Sequence, residues 1–148
     1  MPNKYYVIDD NGFEHKRTSK SRTYTHTVLF QDSPEYALRM AERLDPYGND
    51  SNHYDYMVSI AEGKTWYAHF TQRNMDAAKA VTCLSKDEYC RGKRAERVRR
   101  VETDINNGLY GQWGNAGWCG RRDLAEKLLL KYTGERYRRA VIKEAIEK

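Results

Sequence analysis

The sequence predicts one α+β domain over residues 1–148, with a mostly antiparallel sheet of four to five strands and helices packed on one face. Two observations predict this class. Residues 4–31 contain a run of strand formers, a turn signal and a stretch that alternates at period two, whereas most of the later chain has apolar residues at helical spacing behind capping residues. With 39% hydrophobic and 12% aromatic residues, a chain of 148 residues can bury a core without disulfides or metals.

The strand region begins near the N-terminus. Residues 5–8 are strong strand formers, residues 10–12 are a turn signal, and residues 24–30 alternate at period two. The stretch between these strands is polar and predicts an exposed basic arm with His15, Lys16, Arg17, Lys20 and Arg22. A second hairpin is predicted over residues 54–71, on the two sides of a Glu-Gly-Lys turn.

Four helices are predicted from capping residues and from the spacing of apolar side chains. They lie near residues 33–44, 75–84, 86–105 and 121–132. Ser33 and Pro34 suit the start of the first helix, because serine caps free amides and proline lacks an amide that would go unpaired there. Ser85 and Glu88 form a capping box that begins the long third helix.

In the last third of the chain, the fourth predicted helix follows a predicted loop and precedes the C-terminal tail. Leu124 and Leu128 lie on its apolar face, so we expect both to be buried. Residues 108–120 are predicted to form a glycine-rich loop. The tail, residues 137–146, fits either a helix or a final strand, and its composition favours the helix.

The charge balance is basic, with 26 Lys and Arg against 21 Asp and Glu, a formal charge of +5. Because phosphate neutralisation uses clustered Lys and Arg, this excess favours a polyanionic partner such as nucleic acid or a phosphorylated ligand. Three cysteines without a CxxC pair favour a reduced compartment and free thiols. The sequence lacks a long apolar run and an apolar signal core, so we expect a cytoplasmic protein without membrane contact.

The long third helix is the main candidate for a binding surface. Between its start and residue 100 it has seven Lys and Arg against three Asp and Glu. At about 100° per residue, four of these cations lie in one stripe along the helix beside Tyr89. The members of this stripe are Lys86, Lys93, Arg97 and Arg100. Two arginines that begin the next helix oppose the usual dipole preference, which also marks them as functional candidates. We therefore expect nucleic acid to contact Lys86, Tyr89, Lys93, Arg97, Arg100, Arg121 and Arg122. The alternative is a solvated helix whose cations pair with neighbouring acids.

A second group of residues is a candidate ligand site. Trp113 and Trp118 lie in the glycine-rich loop, where their indoles either stack on a base or a sugar or fill the core. His26 and His69 lie in predicted strands that lead to helices, where they can meet as acid and base. No catalytic residue is identified. The scattered His and Cys residues lack ligand spacing, so we expect no metal and no cofactor, and a binding protein rather than an enzyme.

Two short runs carry a family resemblance. Residues 22–26, which lead into a strand, and residues 118–125, which lead into a helix, resemble segments of small bacteriophage or mobile-element accessory proteins. The resemblance implies a context, in which compact accessory proteins act on nucleic acid, host factors or host defence in the host-cell cytoplasm. It assigns no site residue.

The sequence thus predicts a phage-type accessory protein that binds nucleic acid or a host nucleoprotein through a basic helix. Two alternatives stay open. The first is an inhibitor of a host protein, for which the Tyr and Trp side chains supply interface anchors. The second is a small enzyme or ligand-binding protein that acts on a phosphorylated metabolite. The pattern leaves open whether the chain forms a homo-oligomer.

Overall fold

The computed structural model describes residues 2–63 and 72–148, with the backbone alone for residues 72–74. These residues form five α-helices and six strands. The strands make two three-stranded antiparallel sheets, so the predicted α+β class is confirmed, and two sheets replace the single sheet of four to five strands. The chain divides into two units: a β unit, which joins Met1–Leu38 to Glu102–Lys148, and a helical unit, Arg39–Val101.

The first sheet of the β unit is built on a hairpin. Strands β1 (Asn3–Ile8) and β2 (Glu14–Ser19) pair around a tight turn, and a short strand, Ile146–Glu147, pairs with the other side of β1. In this register Tyr5 lies opposite Arg17 and Val7 lies opposite His15. Directly opposed side chains share a face, so His15 and Arg17 lie on the side of the sheet where Tyr5 and Val7 are buried.

The second sheet has β3 (His26–Asp32) at its centre. Strand β3 lies between β4 (Gly114–Cys119) and β5 (Tyr137–Glu144). The short strand Ile146–Glu147, which belongs to the first sheet, is β6. The β3–β4 register shifts between Val28 and Leu29, which places a bulge in β4. A bulge bends its strand and re-aims the neighbouring side chains.

Two clusters form the core of the β unit. Val7, Leu29 and Trp113 pack between the two sheets. On the opposite face of the second sheet, Val28 of β3 packs in a second cluster with Ala125, a residue of helix α5 (Arg122–Leu130). The β unit is therefore layered as sheet, sheet and helix.

Helix α5 confirms the fourth predicted helix but not its predicted buried residues. Ala125 has 0% exposure, whereas Leu124 is 40% exposed and Leu128 is half-buried. The small side chain of Ala125 allows the helix to approach the sheet closely, and this turns Leu124 toward solvent. The expectation for Leu124 is wrong.

The other four helices belong wholly or partly to the helical unit. Helix α1 (Pro34–Ala41) starts in the β unit, and the helical unit contains α2 (Asn49–Ala61), α3 (Gln72–Thr82) and most of α4 (Lys86–Asn106). Helices α1, α3 and α4 confirm the first three predicted helices. The Asp45 carboxylate accepts hydrogen bonds from the amides of Asp50 and Ser51, so the segment that ends the first helix also fixes the start of α2.

Two other element predictions are wrong in the described residues, and the tail takes the strand alternative rather than the favoured helix. Residues 54–61 belong to α2 rather than to a hairpin, and the rest of that predicted hairpin, residues 64–71, lies outside the described residues. Residues 114–119 form β4 instead of a loop. The tail forms β5 instead of a helix, because pairing with β3 gives its backbone a sheet partner that helix propensity does not anticipate.

Candidate nucleic-acid interface

Three of the four cations in the predicted α4 stripe have partners within the helical unit. Lys86 Nζ lies 2.8 Å from Asp55 Oδ1, and Lys93 Nζ lies 3.6 Å from Glu96 Oε2. Hydrogen bonding to Asp55 raises the pKa of the Lys86 ammonium group above its ordinary value. Arg97 Nη1 lies 2.6 Å from Asp50 Oδ2, and Arg100 is exposed.

The aromatic member of the stripe is buried. Tyr89 hydrogen-bonds through its hydroxyl to His53 Nδ1, and the two rings stack. Lys93 Nζ lies 5.4 Å from the centre of the tyrosine ring and covers it. Tyr89 therefore holds α4 against α2, and its ring is not presented to a ligand.

The predicted arginine pair at the start of α5 also has acidic neighbours. Arg121 Nε lies 3.3 Å from Asp123 Oδ1, and Arg122 Nε donates a 3.2 Å hydrogen bond to Glu126 Oε1. All four side chains are exposed, so the pairs are weak, but they offset the unfavourable placement of cations at a helix start.

A basic groove lies elsewhere, between the edge strands β2 and β4 of the β unit. Its volume is about 480 Å³ and it opens to solvent. Its walls are His15, Lys16, Arg17, Arg22, Tyr24, Asn115, Gly117 and Trp118. We call this set the basic groove. Its lining contains three Lys and Arg residues and neither Asp nor Glu.

The cations of the basic groove are positioned by the β1–β2 hairpin. Arg17 lies on the inner face of the edge strand, with its guanidinium carbon 5.9 Å from the centre of the Tyr24 ring. The backbone amide of Arg22 donates to Ser19 Oγ at 2.9 Å. Within the described part of the chain, Lys16, Arg17 and Arg22 have no acidic partner. The charges of Arg17 and Arg22 are therefore available to an anion in the groove, whereas Lys16, opposite Tyr6, lies on the other face of β2.

Two aromatic residues are among the lining of the basic groove. Tyr24 is buried, Trp118 is half-buried, and their ring centres are 6.3 Å apart at a tilt of 54°. The bulge in β4 shapes the adjoining wall: Gly117 has a φ of +153°, and its carbonyl accepts a 2.7 Å hydrogen bond from Thr27 Oγ1. The groove thus combines unpaired cations with aromatic surface.

A smaller pocket adjoins the basic groove at the β1–β2 turn. Its volume is about 180 Å³, and its walls are Asp9, Asn11, Phe13, His15, Gln112 and Trp113. We call it the turn pocket. His15 belongs to both sets of walls, so the two cavities are neighbours.

The turn pocket contains an ionised carboxylate fixed by hydrogen bonds. Asp9 is 5% exposed and accepts bonds from the amides of Asn11 and Phe13 and from His15 Nε2, the last at 2.8 Å. Burial raises the pKa of Asp9, but the bonds from His15 and the two amides outweigh burial and hold that pKa below its ordinary value. The bond to Asp9 also fixes the orientation of the His15 ring.

The predicted ligand residues are divided among three places. Trp113 is buried beneath the Arg139 guanidinium, whose carbon lies 4.7 Å from the ring centre, so it takes the core alternative. Trp118 lines the basic groove. His26 Nδ1 lies 2.7 Å from Thr25 Oγ1, and His69 lies outside the described residues.

The sequence flagged the basic arm but not its aromatic partner strand. His15, Lys16, Arg17 and Arg22 stand out as a charged stretch, whereas Asn115 and Trp118 come from a segment predicted to be a loop. Only the packing of the two sheets brings β2 beside β4. The sequence features that could have located the groove are the charge of the basic arm and the nearby strand-forming residue Tyr24.

Comparison of the chain with protein-family models, curated proteins and solved structures finds no match. Across residues 2–63 and 72–148, no cluster of three or more His, Cys, Asp or Glu side chains is arranged to hold a metal ion. None of the helices described is both long and apolar enough to cross a membrane.

Proposed function

We propose that this protein binds nucleic acid, and that the basic groove is the contact surface. The observation that carries the proposal is the pair of unpaired arginines, Arg17 and Arg22, beside the half-buried Trp118 ring in a groove without acidic lining residues. Lysine and arginine neutralise phosphates and release counterions, which supplies most of the affinity for a nucleic-acid backbone.

The aromatic surface favours single strands over duplexes. Bases of a single strand are free to stack on Tyr and Trp rings, and such stacking tolerates any sequence. Trp118 is half-buried and lines the groove, so part of its surface faces the space where a strand would lie. The Arg17 guanidinium next to Tyr24 adds a planar cation that contacts phosphates through two donors.

Helix α4 is the competing location for the same function. Its predicted stripe stays a prediction, but the ion pairs of Lys86, Lys93 and Arg97 reduce the free charge it offers. The bacteriophage or mobile-element context also stays a prediction. Charge reversals in the basic groove and charge reversals on α4 distinguish the two locations, because only those at the true interface weaken binding.

The test measures binding of fluorescent single- and double-stranded oligonucleotides by anisotropy as salt is raised. The wild type is expected to weaken with a log–log slope of about −0.7 per phosphate neutralised for single strands. Arg17→Glu with Arg22→Glu is expected to reduce affinity for every sequence and to flatten the slope. Circular dichroism of both proteins checks that the fold is retained.

The matched control is Lys86→Glu with Arg100→Glu, which makes the same charge change on α4. Both of these side chains are exposed. The groove proposal expects this variant to bind nearly as well as the wild type. If the α4 variant loses affinity and the groove variant does not, the interface lies on α4. If the wild type binds no DNA or RNA at low salt, the proposed function is wrong.

A further inference from the structure

The turn pocket has the features of a preformed site. One of its walls is the Asp9 carboxylate, whose two oxygens are held by the turn amides and His15. The carbonyl of Gly111, next to the lining residue Gln112, accepts a 2.6 Å bond from Asn11 Nδ2 and a 2.7 Å bond from Gln31 Nε2. The turn and the loop that face each other across the pocket are therefore tied together.

A large apolar ring stands uncovered at the mouth of this pocket. Phe13 is 75% exposed, although its amide is anchored to Asp9 Oδ1 at 3.0 Å. The backbone bond holds the residue in place while the ring faces solvent. A fixed, exposed ring beside a cavity is suited to stack on a flat ligand.

Polar groups able to read a ligand edge lie next to this ring. The Gln112 side chain makes no hydrogen bond within the described ranges, and it offers both a donor and an acceptor. Asn11 donates to Gly111, which leaves its own carbonyl oxygen free to accept. The volume of about 180 Å³ is below the roughly 300–1,000 Å³ of pockets for drug-sized ligands. The pocket therefore suits one planar ring system.

We infer that the turn pocket takes one unstacked nucleobase of a single strand whose phosphates lie in the basic groove. This inference rests on the proposed function, and His15, which lines both cavities, makes them neighbours. In this arrangement Phe13 stacks on the base, and Gln112 and Asn11 contact its hydrogen-bonding edge. Single-stranded nucleic acids are commonly read in this way, by stacking on aromatic rings and by bonds to the exposed base edges.

The experiment compares two fluorescent probes, a ten-nucleotide dT strand and an abasic strand with the same number of phosphates. The wild type is expected to bind the dT strand more tightly. Phe13→Ala is expected to weaken dT binding by roughly 5- to 150-fold, the range found when a base-stacking aromatic is replaced by alanine. Its affinity for the abasic strand is expected to stay within about twofold, because the phosphate contacts are unchanged.

Two further variants sharpen the result. Phe13→Trp retains a stacking ring and is expected to bind the dT strand as the wild type does. Leu130→Ala removes a similarly exposed apolar side chain from α5, outside both cavities, and is expected to change neither affinity. Gln112→Ala is expected to alter the relative affinities for dT, dC and dA strands.

The outcomes separate this inference from the proposed function. If neither probe binds the wild type, the proposed function fails and the inference fails with it. If both probes bind equally well and Phe13→Ala has no effect on either, the basic groove stands and the base pocket is overturned. The same conclusion follows if Phe13→Ala weakens both probes equally.

Discussion

Arg97 in α4 and Asp50 in the first turn of α2 form a close ion pair, with 2.6 Å between Nη1 and Oδ2. The second terminal nitrogen of Arg97 donates to the Arg43 carbonyl at 2.7 Å. The side chains are 27% and 14% exposed, so the pair is partly shielded from water. Arg97 therefore fixes the helical unit, and the same guanidinium is poorly placed to contact phosphates.

Replacing Arg97 is expected to destabilise the protein. Arg97→Gln removes the partner of a shielded carboxylate, so we expect the free energy of unfolding to fall by about 1–3 kcal/mol in urea titrations. Arg91→Gln is the control, because its exposed pair with Asp87 is expected to contribute about 0.3–0.5 kcal/mol. Equal losses in the two variants would contradict the structural role of Arg97.

Local signals in the sequence predicted helices α1, α3, α4 and α5, but they assigned the second half of α2 to a hairpin. Ser33 Oγ accepts from the Tyr36 amide and Ser85 Oγ from the Glu88 amide, as the capping patterns indicated. Long-range pairing accounts for the two missed strands, because β4 and β5 gain their strand partners from β3, far away in the sequence. Leu124 was misplaced because a helical face shows which residues align but not which of them is closest to the sheet.

The candidate site was predictable only in part. The basic arm from His15 to Arg22 is visible as a run of charge, but nothing local shows that its cations lack acidic partners. Conversely, the α4 stripe has the stronger charge pattern, and two of its three acidic partners lie in α2, another element of the helical unit. Charge patterns identify cations, whereas the fold decides which cations remain unpaired.

A side chain at Gly114 is expected to be poorly tolerated. A methyl group there would lie 2.6 Å from Phe30 Cζ, and that ring is stacked on Tyr132 with 4.8 Å between centres. We expect Gly114→Ala to lower the free energy of unfolding by about 1–3 kcal/mol because the core must shift. Gly111→Ala, with nothing within 4 Å of the added methyl group, is the control. A comparable loss in the control would show that steric crowding is not the cause.

Acid is expected to weaken the β1–β2 turn. The folded-state pKa of Asp9 lies below its unfolded value, because hydrogen bonds outweigh burial. The stability that the Asp9 carboxylate contributes is therefore fully present above the unfolded-state pKa of about 3.9. This contribution is lost as the pH falls through the lower pKa of Asp9 in the folded protein. Urea unfolding between pH 6 and about pH 3 measures this loss. Asp9→Asn should be less stable at pH 6 and should show a shallower decline in acid; an unchanged decline would remove Asp9 as a cause.

The three cysteines are expected to react at very different rates with a thiol reagent. Cys83 is exposed, whereas Cys90 and Cys119 are buried. Burial raises the pKa of both buried thiols, with nearby aspartates adding to the effect at Cys90, so the reactive thiolate is scarce as well as inaccessible. Native protein should therefore release one equivalent quickly in a colorimetric thiol assay and two more after unfolding in urea. Cys83→Ser should abolish the fast phase; a fast phase that persists would show that one of the buried thiols is accessible in solution.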